Sequence, residues 1–230
     1  MRRIGVQEEI LSENDRLAAR NRQLLEKKGV FTINLMASPG AGKTSLIARS
    51  IERLKGELRL AVIEGDIASF IDADRLASMG VPAVQINTGG ACHLEAQAVA
   101  QALSRLSLEG IDLLFIENVG NLVCPTSFDL GESSKVMVSS VSEGDDKPQK
   151  YPAMFQAVDV VILNKSDLLG ICPFDRDPFL RSVRQLNLGV KIFELSCLTA
   201  AGIDAWIDWL REGVDEMVAI RRPPESGGCS

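Results

Sequence analysis

The stretch VFTINLMASPGAGKTSLIARS, residues 30–50, decides how this chain is read. It opens as an apolar run of strand length, closes with helical patterning, and carries between them Ala37-Ser-Pro-Gly-Ala-Gly-Lys-Thr44. That is the Walker A pattern with alanine at its first position. Gly40 and Gly42 let the backbone turn around an anion, so that amide N–H groups and the following helix N-terminus point at phosphate oxygens. Ala41 and Ser45 belong to the same cradle. Lys43 is expected to reach the β and γ phosphates, and the Thr44 hydroxyl to ligate Mg²⁺.

Outward from this stretch, short apolar runs alternate with helical segments. Runs at 30–36, 58–64, 81–86, 111–116, 135–141, 158–163 and 190–195 read as buried strands, and 44–54, 72–79, 93–106, 178–186 and 204–218 as helices. The rhythm predicts an α/β fold, a doubly wound and mainly parallel sheet of the P-loop NTPase kind. Residues 1–29 read as a charged, mildly amphipathic helical appendage, with Ile10, Leu11, Leu17, Ala18, Leu24 and Leu25 near helical spacing. The main domain spans 30–220, and the Pro/Gly/Ser-rich stretch 221–230 reads as a disordered tail. Residues 143–152, polar and interrupted by proline, read as a loop.

Two strands end in acidic residues, at Glu64-Gly-Asp66 and Glu117-Asn-Val-Gly120. Strand C-termini cluster on the ligand side of such sheets, so Asp66 and Glu117 are candidates to hold Mg²⁺ directly or through water. Gly120 is suited to offer a backbone N–H to a γ phosphate. Asp72 and Asp74 read equally well as a solvated helix start.

After the run at 158–163 comes Asn164-Lys-Ser-Asp167, the N-K-x-D guanine signature. The Asp167 carboxylate can accept from guanine N1–H and the 2-amino group, whereas adenine offers a lone pair at N1 and no amino group. Lys165 can lay its stem along the base, and Asn164 can tie loops together. Ser196, at the end of the last strand, either completes the base pocket or is an ordinary small residue at a strand end.

His93 is the sole histidine, and it abuts Cys92; Cys124 follows shortly after Gly120. Thiolate and imidazole suit Ni²⁺ or Zn²⁺, yet the spacing matches no familiar zinc pattern, and two free cysteines beside an incidental histidine read equally well. The odd cysteine count of five and the scatter of those residues argue against a disulfide framework.

Thirty-one acidic against 25 basic residues give a formal charge of -6, which provides no footprint for nucleic acid or an anionic membrane. No apolar stretch approaches the length of a bilayer span, and the opening residues lack the apolar core of a signal peptide, so a cytoplasmic location is expected.

Taken in order, ASPGAGKT, EGDIASFIDADR, NTGGACHLEA, ENVGNLVCP, SEGDDKPQKYP and NKSD resemble the hydrogenase nickel-incorporation GTPases, the HypB maturation factors, from about residue 30 to 220. The resemblance implies a GTPase of the signal-recognition and MinD-like class that dimerises with GTP and helps deliver Ni²⁺ to [NiFe]-hydrogenase. It implies as partners the metallochaperone HypA and the hydrogenase large subunit. It also implies that Cys92, His93 and Cys124 form a metal site at the dimer interface. Some family members carry a cysteine cluster or histidine-rich tract at their start; neither occurs here, so nickel storage is not expected. Slow turnover is expected, because no evident glutamine or arginine finger presents itself. Lys147 or Lys150 is a candidate to contact nucleotide or partner across a dimer. Alternatives are a urease-accessory or methylmalonyl-mutase-chaperone GTPase, or a metal-binding scaffold stabilised by nucleotide.

Overall fold

A computed structural model describes residues 6–66, 76 and 78–221. Its centre is a seven-stranded sheet, all parallel, in the order β3-β2-β4-β1-β5-β6-β7. The strands are β1 (Phe31–Ala37), β2 (Leu60–Asp66), β3 (Ala83–Asn87), β4 (Leu113–Gly120), β5 (Ser134–Ser140), β6 (Val160–Asn164) and β7 (Lys191–Glu194). β1 is buried along its whole length, as are β4 up to Val119 and β6, which is why they read as unbroken apolar runs rather than alternating ones.

Helices cover both faces. Phe31, Ile33 and Leu35 of β1 point toward α2 (Lys43–Leu54) and the last helix, Ile203–Arg221, through Leu46, Ile51, Trp206 and Leu210. Val30, Ile63, Leu114 and Ile116 face the opposite side, against Leu25 of α1 (Val6–Lys28) and Val99 and Leu103 of α3 (Ala96–Arg105). Farther along that side, Met36, Met137 and Val161 pack on Phe155 and Phe179 of the helices Pro152–Ala157 and Arg176–Leu186. β1 lies at mid-sheet with β4 and β5 as neighbours, so the turn after it opens at a topological switch point.

The stretch expected as a loop at 143–152 differs. It contains a 3₁₀ turn at Val141–Glu143 and a helical turn at Lys147–Lys150, and leads into the helix Pro152–Ala157. Pro148 and Pro152 sit in the first turns of these helices, where a missing N–H costs nothing. Helix α3 begins at Ala96 rather than near 93.

α1 is helical, and its buried stripe keeps only part of the expected one, Ala18 and Leu25. Asn14, Ala18, Asn21 and Leu25 are buried, whereas Ile10 and Leu24 are exposed. The two asparagines meet backbone groups of the main sheet's loops, which an apolar side chain cannot satisfy. Among the described residues no helix is long and apolar enough to cross a membrane. Asp72 and Asp74, most of the helix expected at 72–79, and residues 222–230 lie outside the described residues.

Candidate nucleotide and metal sites

The turn between β1 and α2 holds Gly40 at φ +77° and Gly42 at φ +108°, conformations that side-chain-bearing residues rarely adopt. A Cβ on Gly42 would also collide with the Asn164 side-chain amide. Asn164 is buried and ties three segments: its Nδ2 donates to the Ala41 carbonyl at 2.9 Å, and its Oδ1 accepts from the Cys197 amide at 3.2 Å. The guanine-signature loop and the phosphate loop are therefore held as one unit.

Lys165 adopts the left-handed region at φ +57°, which turns the chain sharply out of β6 into the 3₁₀ turn Ser166–Leu168. Its Nζ donates to the Gly40 carbonyl at 2.9 Å and to Ser142 Oγ at 3.2 Å. Ser196 Oγ donates to the Asp167 carboxylate and accepts from the Thr199 amide, so the serine orients the carboxylate. These residues surround a cleft of about 510 Å³ lined by Gly40, Gly42, Ser45, Asn164, Lys165 and Asp167. That volume is in the range of nucleotide-sized pockets.

Arg49 lines the same cleft and was not anticipated from the sequence. It donates to the carbonyls of Cys197 at 2.7 Å and Leu198 at 3.3 Å, fixing the loop after β7. Burial pushes the Cys197 thiol up to about 11, so it forms an uncharged wall of the cleft at neutral pH.

On the phosphate side, Thr44 Oγ1 donates to Glu117 Oε1 at 2.8 Å, which joins the start of α2 to β4. A hydroxyl and a carboxylate in contact beside a phosphate loop are oxygen donors of the kind Mg²⁺ takes. Lys43 is buried at the first position of α2. Gly120 lies against the phosphate loop: a Cβ there would stand 3.1 Å from the Pro39 backbone nitrogen. Asp66 ends β2 beside Asn87 of β3; only its backbone is described. Lys147 donates to Ser38 Oγ at 3.1 Å and pairs with Glu143 at 3.3 Å, while Lys150 pairs with Asp146.

Cys92, His93 and Cys124 come together, each with a donor atom within 4.8 Å of the others. The two sulfurs are 2.8 Å apart, and Cys92 Sγ is 3.6 Å from His93 Nδ1. His93 Nε2 is buried without a hydrogen-bond partner, and the ring stacks on Phe128 with centroids 4.0 Å apart. Burial lowers the His93 pKa against the opposing pull of Glu95, favouring neutral imidazole, the ligating form. The neighbouring Cys124 sulfur, followed by burial, pushes the Cys92 thiol up, a cost that a cation removes by taking the thiolate. Two soft sulfurs and one imidazole, three donors in all, fit Ni²⁺ or Zn²⁺.

The metal loop and the phosphate side share an anchor in Asn118. Its Oδ1 accepts from the amides of Leu94 at 3.2 Å and Val119 at 2.9 Å. Its Nδ2 donates to Asn34 Oδ1 at 3.1 Å, and Asn34 in turn donates to Glu132. An asparagine inside an otherwise apolar strand, as at positions 34 and 118, is the sequence signal for such a network.

A family model for the CobW/HypB/UreG nucleotide-binding domain matches residues 31–194. Over 91% of this chain and 69% of the relative, the sequence is 50% identical to the hydrogenase maturation factor HypB of Azotobacter vinelandii. HypB from Helicobacter pylori, solved in complex with nickel, superposes with a TM-score of 0.85 at 38% identity, covering 89% of this chain and 96% of that one. HypB from Archaeoglobus fulgidus superposes with a TM-score of 0.83 at 40% identity, covering 88% of this chain and 99% of that one. With the phosphate loop, the N-K-x-D turn and the matched fold in hand, the chain belongs to the HypB hydrogenase maturation factor family, within the CobW/HypB/UreG nucleotide-binding domains.

Proposed function

We propose that this chain binds GTP, hydrolyses it to GDP and phosphate, and uses that cycle to hand Ni²⁺ to a [NiFe]-hydrogenase during maturation. The observation that carries the reading is the clustering of Cys92 and His93 with Cys124, which lies a few residues beyond Glu117 and Gly120 at the end of the strand that touches the phosphate loop. The names of the relatives, and the nickel bound to one of them, support the same cargo.

Asp167 accepts the guanine N1–H and 2-amino protons, held in aim by Ser196. Water attacks the γ phosphorus as the bond to the β-phosphate oxygen breaks, releasing GDP and phosphate. Lys43 and the Gly40–Thr44 backbone neutralise the charge that develops on the phosphate oxygens. Thr44 and Glu117, with Asp66, would hold Mg²⁺, which adds Lewis-acid stabilisation of those oxygens when bound. Gly120 offers an amide toward the γ phosphate, so loss of that phosphate releases the segment that leads to Cys124.

Three protein donors leave a coordination position for water or for a residue of a second copy. This supports a GTP-dependent homodimer with the metal at its interface. HypA and the hydrogenase large subunit are the partners proposed for loading and unloading, and the cytosol is the proposed setting. Turnover is slow, because water activation relies on positioning alone.

Multiple-turnover phosphate release with GTP and with ATP, on wild type and Lys43→Ala, tests the enzymatic half. GTP-selective release lost in the variant, with the fold retained, is the expected result. Equal release from ATP would remove the guanine assignment.

A further inference from the structure

Through its buried polar stripe, helix α1 grips both segments that carry the metal donors. Asn14 Oδ1 accepts from the Ala96 amide at 2.9 Å, while its Nδ2 donates to the Asp129 carbonyl at 2.8 Å. One helical stripe later, Asn21 Nδ2 donates to the Ala96 carbonyl at 2.9 Å and the Leu130 carbonyl at 3.0 Å. Each asparagine thus spans the same gap, from the first residue of α3 to the 129–130 backbone.

These anchor points stand close to the donors. Ala96 follows His93 by one turn of chain, and Asp129 directly follows Phe128, the ring that stacks on His93. Helix α3 has no side-chain cap of its own at Glu95, so the Ala96 amide depends on Asn14 for its acceptor. Gly131 shows how closely α1 is seated: at φ +93°, a Cβ there would stand 2.6 Å from the Ala18 carbonyl oxygen. The Arg22 guanidinium adds two 2.7 Å hydrogen bonds to the Asp129 carboxylate.

We infer that Asn14 and Asn21 are positioning residues for the metal site, a bracket that fixes the separation of the Cys92–His93 loop from the Cys124–Phe128 segment and so sets the donor geometry. The inference rests on the proposed metal reading of those donors. Outer groups that orient metal ligands change affinity by about 10–100-fold when removed, which sets the expected scale.

The test is a titration of the full chain with Ni²⁺ alone, followed by calorimetry and by the thiolate-to-nickel charge-transfer band. Asn14→Ala and Asn21→Leu, the second keeping volume while removing both hydrogen bonds, are compared with wild type. Leu210→Ala weakens the core on the opposite face of the sheet and controls for lost stability. Both asparagine variants should lose roughly tenfold or more in Ni²⁺ affinity with an altered band, binding a GTP analogue within about twofold of wild type. Leu210→Ala should keep wild-type Ni²⁺ affinity and band. Asparagine variants with unchanged affinity and band, or a Leu210→Ala loss equal to theirs, overturn the bracket alone. Wild-type Ni²⁺ binding that survives Cys92→Ala and Cys124→Ala overturns the metal reading and the bracket with it.

Discussion

The sulfurs of Cys92 and Cys124 lie 2.8 Å apart although 32 positions separate the two residues in the chain. One follows β3 and the other follows β4, strands that flank β2 on either side, so the shared C-terminal edge of the sheet brings their loops together. The pair is close enough for a cation to bridge. It is also nearly close enough for a disulfide, whose sulfurs need approach only to about 2.05 Å.

Metal-free protein treated with diamide should therefore lose two titratable thiols, as Cys92 and Cys124 form a disulfide and diamide is reduced to its hydrazine. Ni²⁺ or Zn²⁺ added first should protect both. Thiol counting and peptide mapping check this; equal oxidation with and without metal contradicts shared ligation by the pair.

Asp167→Asn should weaken GTP binding by more than roughly tenfold and improve binding of xanthosine triphosphate, because an amide can donate to the oxygen that replaces the guanine amino group. Ser196, which donates to Asp167, keeps a partner in the variant. Fluorescent-nucleotide competition reads the switch, and unchanged GTP affinity would remove Asp167 from the base site.

The Arg22–Asp129 pair predicts a pH dependence. Burial raises the Asp129 carboxyl, but the Arg22 guanidinium and the Gly131 amide more than offset it and hold the group below the usual carboxylate range. A depressed folded-state pKa contributes stability that is fully present above the unfolded value, about 3.9, and is lost as pH falls through the folded one. Discounted for partial exposure of both side chains, the pair contributes about 1 kcal/mol at neutral pH. Asp129→Asn should cost that much by denaturant unfolding at pH 7, with the gap closing below about pH 4. A gap that stays constant to pH 3 contradicts an ionic origin.

Much of this architecture was legible from the sequence because it depends on local pattern. The fully buried strands read as apolar runs within one to four residues of their observed ends, and the phosphate and guanine loops announce themselves by residue type. The segment at 143–152 was misread because Pro148 and Pro152 look like breakers, although in the first turn of a helix proline is tolerated. The seating of α1 was not legible for a different reason. Apolar periodicity selects the exposed Ile10 and Leu24 along with the buried Ala18 and Leu25, while the buried face also carries Asn14 and Asn21, whose partners are backbone groups far off in the chain. The Cys92–Cys124 approach and the Arg49 contacts likewise depend on sheet order and loop path, which spacing does not encode.

The central claim is that nucleotide state and nickel communicate through the segment from Glu117 to Cys124. The most direct measurement is calorimetric Ni²⁺ titration of the GDP-bound and GTP-analogue-bound protein at matched oligomeric state. The affinities should differ by about 5–150-fold, with Ni²⁺ shifting nucleotide affinity by the same factor, as linkage requires, and Cys124→Ala should abolish the difference while sparing GTP binding. Identical Ni²⁺ constants in the two nucleotide states would contradict the account.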